Sequence, residues 1–251
     1  MTLAEIARQI VAPQKGVLAA DESSPTIKKR FDTIGVESTE ENRRFYRQLL
    51  FTTTAAAPYI GGVILFDETL RQATDDGTRF ADLLAAQGTV PGIKVDSGAK
   101  PLVGCPGEKV TEGLDGLRER LAEYHQLGAR FTKWRAVIAI GDGIPSRTCI
   151  EANAHALARY AALSQEAGLV PIVEPEVLMN GPHTIERCAE VTEATIAEVY
   201  RQLDLQRVEL EGTLLKPNMV VSGDECPEQA DVETTADWTL KVLYRTVPAA
   251  V

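Results

Sequence analysis

Short apolar runs of four to eight residues alternate along the chain with longer amphipathic stretches. The runs are residues 16–22 (GVLAADE), 62–67 (GVILFD), 93–96 (IKVD), 130–135 (RFTKWR), 170–176 (VPIVEPE) and 212–218 (GTLLKPN). They read as buried strands. Helices are predicted over 40–51, 114–127, 149–166, 184–203 and 231–247. Ser38-Thr39-Glu40-Glu41 is a capping-box-like start to the first, and Gly128 is placed to end the second in a left-handed residue. Gly168 closes the third and Pro182 precedes the fourth. Buried strands alternating with helices predict an α/β fold, a parallel sheet with helices outside it.

Each run starts apolar and ends charged. Residues i and i+2 of a strand share a face. Asp21 and Ser23, Lys94 and Asp96, Lys133 and Arg135, Glu174 and Glu176, and Lys216 and Asn218 are such pairs. Polar groups therefore gather at the C-terminal ends of the strands, the active face of a (β/α)8 barrel. An open doubly wound sheet also binds ligands at its carboxyl ends. It would be expected to carry a glycine-rich phosphate loop, and no G-x-G-x-x-G or Walker A pattern occurs. The barrel is the preferred reading. The length of 251 residues suits one such domain spanning 1–251.

The formal net charge of −10 argues against nucleic acid and anionic membranes as partners, though not against an anionic substrate in a locally basic pocket. The four cysteines, Cys105, Cys149, Cys188 and Cys226, form no C-x-x-C pair and read as free thiols of a reducing compartment. The opening MTLAEIARQIVAPQKG lacks the apolar core of a signal peptide, and no apolar run approaches the ~18 residues of a membrane span. The expected location is the cytoplasm. His125, His155 and His183 lack zinc-site spacing, and no G-x-S-x-G elbow is present.

Lys216 emerges from Leu214-Leu215 just before Pro217. Partial burial disfavours an ammonium, and a second cation, Lys133 or Lys94, disfavours it further. Such a lysine attacks carbonyls. The competing reading is a lysine that snorkels to the surface or pairs with a carboxylate. Glu174 and Glu176 on one face suggest a carboxyl pushed toward general-acid duty, or acceptors for nearby lysines. Asp21 could handle a substrate proton or bridge a lysine. Lys28, Lys29 and Arg30 follow Ser23-Ser24-Pro25-Thr26. Hydroxyls, backbone N–H groups and a guanidinium there suit a phosphate, although basic clusters usually form a solvated face.

The stretches GVLAADES, EENRRFYRQLLFTT, IGGVILFDETL, GIKVD, TEGLDGLRER, FTKWRAV, NAHALARYAAL, GLVPIVEPEVL and LEGTLLKPNMV, in this order, resemble class I fructose-bisphosphate aldolases. The resemblance implies cleavage of fructose 1,6-bisphosphate to dihydroxyacetone phosphate and glyceraldehyde 3-phosphate in glycolysis and gluconeogenesis. It implies Lys216 as the Schiff-base lysine, Glu174 as the acid/base of carbinolamine dehydration, and Glu176 as its assistant. Lys133 and Arg135 would hold charge near the nucleophile and bind substrate. Asp21 would handle the C4 hydroxyl proton, Lys94 would bind substrate, and Ser23, Thr26 and Arg30 would approach a phosphate. No metal or other cofactor is implied, because a protonated imine serves as the electron sink.

The family resemblance also implies two strand–helix units beyond those visible here. About six of eight units are expected in a C-terminally shortened barrel that binds sugar phosphate weakly and turns over little alone. The implied assembly is a homo-oligomer, commonly a tetramer. Two alternatives remain: another Schiff-base lyase or transaldolase on this fold, or an inactive fragment serving as a regulatory or assembly partner of intact subunits.

Overall fold

The computed structural model describes all residues, 1–251. Its strands in chain order are β1 (Gly16–Ala20), β2 (Ile60–Leu65), β3 (Val90–Lys94), β4 (Ala99–Pro101), β5 (Lys109–Thr111), β6 (Phe131–Ile138), β7 (Val170–Val177) and β8 (Leu214–Leu215). Six of them form one parallel sheet, ordered β1-β2-β3-β6-β7-β8, and β4 and β5 form a separate antiparallel hairpin. The helices are α1 (Leu3–Ile10), α2 (Ser24–Asp32), α3 (Glu40–Phe51), α4 (Asp67–Leu70), α5 (Phe80–Ala86), α6 (Leu117–Gln126), α7 (Arg147–Glu166), α8 (Ile185–Leu205) and α9 (Val232–Thr246). A curled parallel sheet whose neighbours follow chain order is a partial (β/α)8 barrel of six strands.

Alternation along each strand splits the apolar residues into two layers. One set faces the helices in a large core that includes Leu65, Trp134, Ala136, Tyr160 and Val173. The other fills the lower inside of the curl: Ile64, Val90, Phe131, Val170 and Ile172, plugged from below by Ile6, Ala7 and Ile10 of α1. Inward positions climb from this apolar floor to a charged rim. On β6 the inward series is Phe131, Lys133, Arg135; on β7 it is Val170, Ile172, Glu174, Glu176; on β3 it is Val90, Gly92, Lys94. Gly92 sits in register with Phe131, and a Cβ on it would lie within 2.2 Å of that ring.

The helix over 40–51 lies where the sequence places it, with Thr39 accepting from the Asn42 N–H as N-cap. Gly128 has a φ of +106°, the left-handed ending expected of it. The last strand differs. The run 212–218 shortens to Leu214–Leu215, because residues 210–212 form a 3₁₀ turn and Pro217 has no N–H to extend the ladder. One bond continues past it, from the Lys216 N–H to the Val173 carbonyl at 2.9 Å.

Candidate active site

Strand register brings the rim residues together. Lys94 pairs with Lys133, Arg135 with Glu174 and Val173 with Leu215, so β3, β6, β7 and β8 present their inward side chains at adjacent heights. The Lys216 ammonium contacts Oε1 of Glu174. The other Glu174 oxygen lies 3.1 Å from the Lys133 Nζ, which lies 3.0 Å from Oδ2 of Asp21. Lys216, Glu174, Lys133 and Asp21 thus form one chain of alternating charge across four strand ends.

Burial grades this chain. The side chains of Glu174 and Lys133 are 3% and 9% exposed, and that of Lys216 is 49% exposed. Burial works against the Lys133 charge, but Asp21 and Glu174 outweigh it and hold its pKa above the ordinary lysine value. Lys133 is therefore a fixed cation between two carboxylates. Of the readings open for these residues, ion pairing is the one seen. Lys216 is half-exposed and paired with Glu174. Glu174 and Glu176 do not press on each other as an isolated acid pair: Glu174 takes the two lysines, and Glu176 takes Arg135. Burial also opposes the Arg135 charge, while Glu176, Glu174 and Asp96 hold its pKa up.

Lys94 donates to Oδ1 of Asp96 at 2.6 Å and to the Asp96 carbonyl at 2.9 Å. The same carboxylate accepts the Gly98 N–H at 3.0 Å and the Arg135 N–H at 3.3 Å. Asp96 thereby ties Lys94 to the ends of two strands. Its position beside Lys94 was visible in the i, i+2 pattern, but its two further partners depend on the neighbouring strand and turn. Asn218 has a similar office on β7, accepting the Val177 N–H at 3.1 Å.

Ser23, Thr26 and Arg30 stand apart from the lysine chain, on the loop and helix that follow Asp21. Ser23 and Thr26 hydroxyls are 3.1 Å apart at the start of α2, and their side chains leave the first N–H groups of that helix uncapped. Arg30 contacts Glu22 and is 59% exposed. No cluster of three or more metal-ligating side chains forms anywhere in the chain. The four cysteines carry no disulfide, and burial pushes the Cys149 thiol up to about 12, so it is held as a neutral thiol.

A partial barrel whose rim places a lysine against a buried carboxylate, with a second lysine held charged beyond it, has the side chains a carbonyl-attacking lysine would need. A sequence model described as fructose-bisphosphate aldolase class-I matches residues 2–251. A probable fructose-bisphosphate aldolase class 1 of Xanthomonas campestris is 64% identical over 98% of this chain and 74% of its own length. Fructose-bisphosphate aldolase 1 of Toxoplasma gondii is 56% identical over 99% of this chain and 69% of its own. Among solved structures, fructose-bisphosphate aldolase of Plasmodium falciparum, in complex with TRAP and a small molecule inhibitor, superposes with a TM-score of 0.97. It is 49% identical and is covered over 72% of its chain, against 99% of this one.

The chain belongs to the class I fructose-bisphosphate aldolase family. Its function is accordingly that of a carbon–carbon lyase acting on a sugar phosphate.

Proposed function

We propose that Lys216 is the nucleophile of this aldolase and that Glu174, Lys133 and Asp21 divide the proton transfers. The observation that carries the proposal is the contact chain Lys216–Glu174–Lys133–Asp21. Glu174 is placed to take a proton from the Lys216 ammonium, and the Lys133 charge close by favours the neutral amine. The amine lone pair adds to the C2 carbonyl of the open-chain ketose. Glu174 then returns its proton to the carbinolamine hydroxyl, and water leaves to give an iminium. Glu176, held by Arg135, would assist this dehydration.

Asp21 accepts the C4 hydroxyl proton as the C3–C4 bond breaks. The bonding pair moves toward the iminium, leaving an enamine on Lys216 and releasing glyceraldehyde 3-phosphate. Protonation at C3 and hydrolysis free dihydroxyacetone phosphate and restore the amine. The iminium is the electron sink, so the sequence of steps calls for no cofactor. Lys94 and Arg135 are the cations best placed for the substrate's oxyanions, and Ser23, Thr26 and Arg30 for one phosphate. Binding there would compete with Glu22 for Arg30.

The test is reductive trapping. Borohydride added with dihydroxyacetone phosphate should fix a glyceryl adduct on the peptide containing Lys216, and Lys216→Met should abolish it. Labelling of a different lysine, or none, would remove the assignment. Family resemblance also supports a homo-oligomer in the cytoplasm; sedimentation velocity of the purified chain would check the assembly.

A further inference from the structure

Arg47 is the most deeply buried charge in the chain, at 2% exposed, yet it touches none of the four rim residues proposed above. It lies on α3, and its partner is Glu22, the residue after Asp21. The Arg47 Nη1 is 2.6 Å from Oε2 of Glu22, whose side chain is 8% exposed. Its Nη2 donates to the Glu22 carbonyl at 3.2 Å. One guanidinium therefore hydrogen-bonds the backbone of Glu22 and faces its side-chain charge, the latter a charge contact without hydrogen-bond geometry. Arg30 contacts the other Glu22 oxygen from the solvent side, where screening leaves such a pair little weight. Four residues earlier on the same helix face, Arg43 holds Glu68 with two bonds of 2.7 and 2.6 Å, just beyond the end of β2. Helix α3 thus grips the C-terminal ends of β1 and β2 through two arginines one turn apart.

A buried ion pair is a costly way to join a helix to a loop, and an apolar contact would hold it at least as firmly. What Arg47 adds is directional constraint, through its hydrogen bond to the Glu22 carbonyl. Successive residues point opposite ways: Asp21 turns inward to Lys133, and Glu22 turns outward to Arg47. Ser23 follows, its carbonyl accepting the Thr26 and Ile27 N–H groups at 2.8 and 2.9 Å to start α2. Fixing Glu22 fixes the residues on both sides of it.

We propose that Glu22 and Arg47 are positioning residues for the cleavage step, a buried clamp that aims the Asp21 carboxylate at the C4 hydroxyl. This rests on the reading of Asp21 given above. Schiff-base formation at Lys216 uses Lys133, Glu174 and Lys216 on β6, β7 and β8, which the clamp does not touch, so the two steps should separate.

The test compares Arg47→Met, Arg47→Lys and Glu22→Gln with the unaltered 251-residue chain, by amide hydrogen exchange, borohydride trapping with dihydroxyacetone phosphate, and cleavage kinetics. In Arg47→Met, exchange across residues 20–26 should quicken by about 10-fold while β7 and α7 keep their protection. Lys216 trapping at saturating dihydroxyacetone phosphate should stay within about 2-fold of the unaltered chain, and kcat for cleavage should fall about 10- to 100-fold, the cost of a misplaced base, with KM rising less than kcat falls because Ser23 and Thr26 loosen too. Arg47→Lys keeps the charge without the fork and should fall between. Glu22→Gln, which removes the buried charge instead of its partner, should show the same local quickening and the same fall in kcat if Arg47→Met fails to fold, with KM lowered because Arg30 is released.

Unchanged exchange at 20–26 in every folded variant overturns the clamp. So does quickening spread evenly over the chain, which marks ordinary loss of stability, or local quickening with an unaltered kcat. If the unaltered chain is not labelled at Lys216, the proposed function fails, and the exchange measurement alone judges the clamp.

Discussion

At the residue scale the site is a problem of shared charge. Glu174 serves two lysines and Lys133 serves two carboxylates, and all but Lys216 are nearly dry. Replacing Lys133 by Met leaves Asp21 and Glu174 buried without their common cation. The expected cost is about 3–5 kcal/mol of stability, read from urea melts. Glu174→Gln keeps the shape and removes the proton carrier, so kcat should drop by about 10²- to 10⁴-fold in steady-state assays. The pH dependence has a definite sign. Because the folded pKa of Lys133 is raised, its stabilisation is complete below the unfolded lysine value near 10.5 and is lost as pH rises through the folded value. Urea midpoints of the unaltered chain should fall above about pH 10.5 more steeply than those of Lys133→Met. His183 behaves oppositely. It is 8% exposed, neither ring nitrogen has a partner, and burial lowers its pKa despite the nearby Asp224. Its NMR titration should have a midpoint below 6.5, with stability falling as pH drops below that value, since only the unfolded state takes up the proton.

At the scale of elements, what was legible follows from length and register. Helices α3, α7, α8 and α9 carry 12 to 21 residues of amphipathic pattern, long enough for the period to show. Helix α1 has only eight, and its opening reads as an ordinary charged terminus. Its signals were present nonetheless: Ile6 and Ile10 one turn apart, and Thr2 with Glu5 as a complete capping box. The β4–β5 hairpin has three residues per strand and no alternation to read. Glu22–Arg47 and Asp96–Arg135 were not legible, since they join residues 25 and 39 positions apart that only the tertiary fold brings together. The floor of the curl yields a prediction at this scale. Gly61 abuts the Ile10 carbonyl, where a Cβ would stand 1.9 Å from the oxygen, and Gly92 makes room for Phe131. Gly61→Ala should push α1 off the sheet and Gly92→Ala should overpack the floor, each costing about 1–3 kcal/mol by thermal melting. Cleavage kinetics of the folded fraction should change less, because the rim stands one or more residue pairs above the floor.

For the molecule as a whole, the charges at the rim matter more than the total. The chain carries a formal −10, which repels an anionic substrate at long range. Around the proposed site, however, each cation already has an acid: Lys94 with Asp96, Arg135 with Glu176, Arg30 with Glu22, Lys216 with Glu174. A sugar phosphate is therefore not drawn into an empty positive pocket; it must displace carboxylates from cations. The pairs most open to this exchange are Arg135, 43% exposed, and Arg30, 59% exposed, because their attachments are screened and cheaply broken. Buried Lys133 and the Glu22–Arg47 pair should stay fixed while the exposed pairs turn over. Such binding is an exchange of screened ion pairs, so it should weaken with salt. Dihydroxyacetone phosphate affinity, measured by its lift of the melting temperature, should fall by about 10-fold between roughly 0.05 and 0.5 M sodium chloride. Glu176→Gln frees Arg135 and should bind the phosphate ester more tightly at low salt while turning over more slowly. If that variant binds no better, Glu176 does not compete for Arg135, and the exchange account is wrong.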